Sequence, residues 1–351
     1  MTAIALVTIA RNEERSIGRL LESVKPFVDE MIVVDTGSTD HTIEIARSVG
    51  AKISHFHWTN DFSEARNYSL TRTRAPWRLI LDADEWLDST ESDFNAIRES
   101  APTFVGRINR SDRFHGDIAG RRQVLTSQTN ISRLIPAGVI YTGRIHEQLQ
   151  HQLPVRAVPV SVWHDGYEDE QLARKGDRNF SILEDMVTTE RFDGYYRYQY
   201  AKELMRKNRY LEACQHLESA LNSTSVMTPW RESLVCTALN AFGTAKKFDR
   251  GLELVEAECA HYVDSPDFWF SVGCFYMDVV QARPKFGARL LSLIERSFLR
   301  CLELGERPER TIDEKVAGRG SFLAAQNLYA FYVATNQPTK ADSIEHLRSE
   351  K

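Results

Sequence analysis

The chain has 351 residues, with 44 lysines and arginines against 49 aspartates and glutamates, and a formal charge of −5. Apolar residues make up 42% and charged residues 26%, an ordinary globular composition that excludes collagen, coiled coil and bulk disorder. The length suits two domains, and the slight acidity gives no general attraction for nucleic acid. Met1–Ala10 is apolar, but Arg11, Asn12, Glu13 and Glu14 follow at once, the reverse of a signal peptide's charge order. No run reaches the ~18 apolar residues of a membrane span. Cys214, Cys236, Cys259, Cys274 and Cys301 show no metal-ligand spacing, so free thiols and a cytoplasmic location are expected.

In chain order, Ile4–Ile9 reads as a buried parallel strand. Ile17, Leu20, Leu21 and Val24 follow at helical spacing, and Pro26 stops the helix. Met31–Val34 is a second strand ending at Asp35. After the turn Thr36–Asp40, with a helix cap at Asp40, the helix His41–Val49 closes at Gly50. Ala51–Phe56 is a third strand, Phe62–Arg72 a helix and Trp77–Leu81 a fourth strand ending at Asp82. Strands separated by helices of this length predict a parallel sheet. Beyond residue 100, Phe104–Asn109, Gln123–Asn130, Ile131–Ile135, Val139–Ile145 and Val155–Trp163 read as strands with few helices between them, an antiparallel addition. The charged stretch Asp165–Gly176 marks a domain boundary. The second half is helical: Ala201, Leu204, Tyr210, Ala213, Leu217 and Ala220, then Phe248, Gly251 and Val255 after 38 residues, have the spacing of tetratricopeptide-like helix pairs.

Four features carry the chemistry. Asp82-Ala83-Asp84 follows a buried strand, where ligands of open α/β sheets bind, and two carboxylates at this spacing can face one Mg²⁺ or Mn²⁺. Asp35 either caps its turn or accepts hydrogen bonds from a nucleobase or ribose. Asn12 and Glu14 lie in the loop after the first strand, which otherwise reads as a helix N-terminus with favourable acids. Arg66, in Asp61–Asn67, either grips phosphate or uracil oxygens or pairs with Glu64 or Glu13 on the surface.

Together these features resemble the family 2 glycosyltransferases of the GT-A fold. The resemblance rests on Ile32–Asp40, on Leu79–Glu85 and on the block Asp61–Leu70. It points to a bacterial branch in which tetratricopeptide-like helices follow the glycosyltransferase domain, a branch that includes lipopolysaccharide-core glucosyltransferases and bacteriocin S-glycosyltransferases. The expected division is a GT-A mixed sheet domain over 1–170 and an all-α helical domain over 171–351. Gly143–Gln148 resembles the branch's catalytic block and implies Glu147, or the adjacent His146, as the base. Glu147 can equally pair with Arg144 or Arg133. Val162–Tyr167 resembles the block whose histidine, here His164, supplies a metal ligand beside Asp84 and Asp82. Arg174, Lys175, Arg178 and Asn179 resemble a segment that either faces the diphosphate or decorates the next helix.

The resemblance thus implies donor contacts from Asn12, Glu14, Asp35, Arg66, Asp82 and Arg178. The cofactor implied is Mn²⁺ or Mg²⁺ and the donor a UDP-sugar, glucose or a related hexose. The acceptor is a protein, a peptide or a lipopolysaccharide-type glycan, and transfer inverts the anomeric centre. Peripheral membrane association and homo-oligomerisation through the helices are compatible with the chain. A nucleotidyltransferase would need a glycine-rich loop after the first strand, where Ala10–Glu14 has no glycine. A non-catalytic adaptor with a decayed sheet domain would not need Asp35, Asp82, Asp84 and Glu147 together.

Overall fold

A computed structural model describes residues 3–118, 121–167, 178–189, 192–307 and 315–349. Arg174, Lys175 and most of the charged stretch before Gly176 lie outside the described residues. Two compact units result: Met1–Phe114 with Gln128–Arg178, and His115–Ser127 with Asn179–Lys351.

The first unit begins with β1 (Ile4–Ala10), α1 (Ile17–Val24), β2 (Glu30–Asp35), α2 (Thr42–Val49), β3 (Lys52–His55), α3 (Phe62–Leu70) and β4 (Trp77–Ile80). It continues through β5 (Glu85–Leu87), α4 (Glu91–Glu99), β6 (Val105–Ile118), β7 (Arg121–Pro136), β8 (Ile140–Thr142), β9 (Gln148–Gln150) and β10 (Val155–Tyr167). The main sheet runs β3-β2-β1-β4-β7-β6-β10-β5, while β8 and β9 form a separate antiparallel ribbon. The strands β3, β2, β1 and β4 are parallel, and β7 joins β4 antiparallel.

β1 is buried because both of its faces are covered. Ile4 and Leu6 point to one core with Ile17, Leu20, Leu21 and Val24 of α1. Ala5 and Val7 point to the other with Ile32, Ile80 and Ile135. This is the period-2 alternation of a strand covered on both sides. The α1 stripe is fully buried as its spacing predicts. Gly50 closes α2 at φ 102°, a left-handed cap that costs glycine no steric strain. α2 starts at Thr42, and Asp40 still serves its first turn by accepting from the Thr42 N–H at 3.0 Å.

The part beyond residue 100 differs from expectation. Gln123–Asn130 and Ile131–Ile135 belong to the single strand β7, and β6 continues from Val105 to Ile118. The addition is mixed: β10 runs parallel to β6 and antiparallel to β5. Only Ile140–Thr142 of the expected strand Val139–Ile145 is extended pairing. α4, absent from the sequence reading, is started by a reciprocal Thr90–Asp93 capping box and buries Phe94 and Ile97.

The second unit comprises α5 (Arg178–Thr189), most of which lies within it, then α6 (Gly194–Arg206), α7 (Tyr210–Ser223), α8 (Arg231–Thr244), α9 (Phe248–Glu258), α10 (Pro266–Ala282), α11 (Gly287–Leu304), α12 (Phe322–Ala334) and α13 (Pro338–Ile344). A short strand β11 (Lys315–Val316) pairs with β7, and the Ala317 N–H donates to the Thr126 carbonyl at 2.8 Å. The helices form tetratricopeptide-like pairs. The turns α6–α7, α8–α9 and α12–α13 each place one residue, Asn208, Lys246 and Asn336, at a φ of 59°, 58° and 55°. Ala201, Leu204, Ala213, Leu217 and Ala220 are fully buried between helices. The five cysteines are unbridged, and among the described residues no helix is long and apolar enough to cross a membrane.

Close packing of the repeat makes one substitution informative. A Cβ on Gly251 of α9 would overlap the ring of Phe275 in α10, and that ring is itself buried. Gly251→Ala is expected to destabilise the helical unit by about 1–3 kcal/mol, the usual cost of overpacking, although alanine is the better helix former. An unchanged melting temperature would show that the α9–α10 contact is looser than this.

Candidate active site

The site collects at the carboxyl edge of the parallel strands. α3 explains why the Asp61–Asn67 block has its residues in that order. Asp61 caps the helix, accepting from the Glu64 N–H at 3.0 Å and the Ser63 hydroxyl at 2.7 Å. Further along the helix, Asn67 clasps β8 by donating to the Tyr141 carbonyl and accepting from its N–H, both at 2.8 Å. Between them Arg66 points inward and is 6% exposed. Its Nη2 donates to Asp82 Oδ1 at 2.6 Å and its Nε to Glu147. Arg66 is therefore a buried bridge between two predicted site residues, not a partner of Glu64 or Glu13. Glu147 pairs with it rather than with Arg144 or Arg133.

The bridge continues. Arg133, on β7, donates from Nη2 to Asp82 Oδ2 at 2.8 Å, and the same nitrogen lies 4.0 Å from Glu85 Oε1. Arg110, on β6, is 3.6 Å from Glu85 and 2.9 Å from Asp112. Asp112 Oδ1 meets His164 Nδ1 at 2.6 Å, and His164 Nε2 meets Asp84 Oδ2 at 3.2 Å. An alternating chain of charges thus runs from Glu147 to Asp84. Strand register sets its far end: β10 places His164 opposite Asp112 of β6 on one side and Glu85 of β5 on the other.

The electrostatics follow from these neighbours. Burial works to raise the Asp82 pKa, but Arg133 and Arg66 outweigh it and hold the carboxyl well below the usual range. Glu85 is fully buried, and burial together with Asp82 raises its pKa. Burial works to lower the His164 pKa, yet Asp84 and Asp112 win and lift it to about 10. In this state the imidazole is charged between two carboxylates.

The remaining predicted residues lie after β1, at the end of β2, between β8 and β9, and at the start of α5. Asp35 is buried and accepts from the Gly37 and Ser38 N–H groups at 3.1 and 3.0 Å, with His55 Nδ1 at 3.4 Å. Burial raises its pKa, and these hydrogen bonds bring it below the usual carboxylate value. Asn12 adopts φ 56° and accepts from the Thr39 N–H at 2.8 Å. Glu14 accepts from the His41 N–H at 3.1 Å. Asn12 and Glu14 hold the β1–α1 and β2–α2 loops against each other, whereas Asp35 serves its own turn. His146 is left-handed at φ 50°, and its carbonyl accepts from Gln148 Nε2 at 3.0 Å. The guanidinium of Arg178 sits 4.7 Å from the Phe62 ring centre and 6.0 Å from that of Trp58. Burial is the main cause of its lowered pKa, with Glu13, Asp82 and Asp84 among the groups acting on it.

The donor set fits a divalent cation at Asp84 and His164. Asp112 on Nδ1 makes the carboxylate–histidine arrangement that orients a ligating imidazole. His164 Nε2 would give up its proton on ligation. Among the described residues no three His, Cys, Asp or Glu side chains form a metal cluster, and Mg²⁺ characteristically takes its remaining ligands from water and substrate phosphates. Both oxygens of Asp82, by contrast, already accept from guanidinium groups.

Arg133, Arg110, Asp112 and Glu85 were not among the predicted site residues. Arg110 and Asp112 stand two apart on one strand and so share a face, a signal hidden when the strand is ended at Asn109.

Residues 5–92 match the family model for glycosyl transferase family 2. The glycosyltransferase SunS of the SPbeta prophage in Bacillus subtilis is 26% identical over 269 residues, covering 73% of this chain and 63% of SunS. A TPR repeat-containing protein of Synechococcus elongatus is 48% identical over 87 residues, 25% of this chain and 22% of that protein. An uncharacterized glycosyltransferase of Rickettsia prowazekii is 36% identical over 169 residues, 42% of this chain and 58% of that protein. The chain spans less than two thirds of the length of each of these relatives. Over residues 5–92 the chain is thus similar to family 2 glycosyltransferases, and tetratricopeptide-like helices follow in the second unit.

Proposed function

We propose that the chain transfers a hexose, glucose or a close relative, from a UDP-sugar to a protein, peptide or glycan acceptor, with inversion. The observation that supports this best is the buried Asp82–Arg66–Glu147 bridge at the sheet edge beside the Asp84–His164 pair. Glu147 is the base that takes the acceptor's proton, the task a carboxylate performs in general-base catalysis. Arg66 and Asp82 hold it in place. Asp35, Asn12 and Glu14 shape the loops that receive the nucleotide, and Arg178 closes over the aromatic pair Trp58 and Phe62. Asp84 and His164 would hold a divalent cation, which would supply Lewis-acid stabilisation of the leaving diphosphate. One base with no second carboxylate acting as nucleophile suits a single displacement and therefore inversion, by the logic of glycosidases.

A panel of UDP- and GDP-sugars, read by thermal shift and by sugar release with and without Mn²⁺, tests this reading. Metal-dependent binding and turnover of a UDP-sugar are expected. Absence of both across the panel would leave the helical adaptor as the better account.

The metal site has its own test. Asp84 is buried against His164, so Asp84→Asn is a gentler probe than removal of the side chain. With UDP at about 100 times its Kd, wild type should gain about 2.7 kcal/mol of stability. In Asp84→Asn the Mn²⁺-dependent part of that gain should vanish when measured against the variant's own ligand-free melting point, which loss of the charged pair with His164 lowers. An undiminished Mn²⁺ effect would remove Asp84 from the ligand set.

A further inference from the structure

Tyr141 is fixed through its backbone, while its phenol makes no hydrogen bond among the described residues. Asn67 fixes its backbone from both sides at 2.8 Å. The side chain is 5% exposed, and its Oη has no hydrogen-bond partner among the described residues. The Arg66 guanidinium lies 5.5 Å from the Tyr141 ring centre, and Arg66 Nη1 also lacks a partner among the described residues. Buried donors left unsatisfied are rare in folded proteins and costly. Two on neighbouring side chains of one site point to a ligand oxygen.

The surrounding charges say what kind of oxygen. Arg133, Arg66, Glu147 and Asp82 all act on the Tyr141 phenol, two cations against two carboxylates. A phosphate finds no net positive charge there. A neutral hydroxyl accepts from Tyr141 and Arg66 and can donate to Asp82, whose side chain is 30% exposed and opens the group to solvent. A sugar carries such hydroxyls; a uracil ring or a diphosphate does not.

We propose that Tyr141, with Arg66 Nη1, recognises a hydroxyl of the transferred sugar and so helps set which UDP-sugar is used. The assignment rests on the transferase reading above and extends it to donor specificity. Tyr141→Phe removes one oxygen and leaves the packing. The variant should melt at or slightly above the wild-type temperature without ligand, because an unsatisfied buried group has been removed. UDP should bind within twofold of wild type. For the UDP-sugar turned over best by wild type, kcat/KM should fall about 5- to 30-fold, the worth of one hydrogen bond to substrate. One donor in a series of mono-deoxy UDP-sugars should be used equally by both enzymes, identifying the hydroxyl.

Unchanged kcat/KM across the panel would overturn the assignment. So would a lowered ligand-free melting point, which would mean that the phenol is satisfied within the fold. So would a loss confined to acceptor KM, which would place the contact on the acceptor. A wild type that binds no UDP-sugar would instead overturn the transferase reading and the assignment with it, whereas normal wild-type turnover with an indifferent Tyr141→Phe overturns the assignment alone.

Discussion

Glu147→Gln should lower sugar transfer by roughly 10²–10⁴-fold, the usual worth of a positioned general base. The amide keeps the shape of the carboxylate and can still accept from Arg66 Nε, and Arg66 retains its bond to Asp82. Donor binding should therefore survive, since the proposed metal contacts at Asp84 and His164 belong to the other end of the charge chain. The discriminating measurement is transfer set beside UDP-sugar affinity in the same preparation. Normal transfer in Glu147→Gln, with loss in His146→Ala, would move the base to the histidine. Full activity in both variants would mean that the acceptor arrives already deprotonated, as a thiol with its pKa near 8.5 partly can.

Arg66→Met should be the most damaging single change to the first unit. Methionine replaces much of the buried stem but leaves Asp82 and Glu147 facing each other without their shared cation. Breaking a buried ion pair from one side costs about 3–5 kcal/mol. For a unit of this size about 1 kcal/mol corresponds to a shift of roughly 2–4 °C, so the melting transition should fall by roughly 6–20 °C. Arg133 still holds the other oxygen of Asp82, which favours the lower part of that range. Transfer should be lost along with stability, because Glu147 loses its anchor. A melting point within 2 °C of wild type would show that the bridge is solvated and contributes little to the fold.

The sequence by itself determined the parallel half of the sheet and the nature of the helical half. A short apolar run such as Ile4–Ile9, set between helical patterns, reads as a strand covered on both faces, and the Ile17–Val24 spacing reads as a helix packed on one. Asp82 and Asp84 followed from the same logic, because a polar pair directly after a buried strand must emerge at the sheet's carboxyl edge. Helical pairing was legible from small and apolar residues recurring after 38 positions.

Side-chain partners were decided by the tertiary structure. Arg66 reads from the sequence either as a grip on phosphate or uracil oxygens or as a surface partner of Glu64 or Glu13, and only the folding of the Gly143–Gln148 segment against α3 brings Glu147 to it across 81 positions of chain. Asp35 serves its own turn, a local hydrogen bond that the pattern of residue types allows but does not require. His164 meets Asp112 and Glu85 through strand register, and a slip of one residue would turn it to the opposite face of the sheet. Residue spacing fixes which face of an element is buried. Which charge meets which across that face depends on pairings between distant segments, and those exist only once the chain has folded.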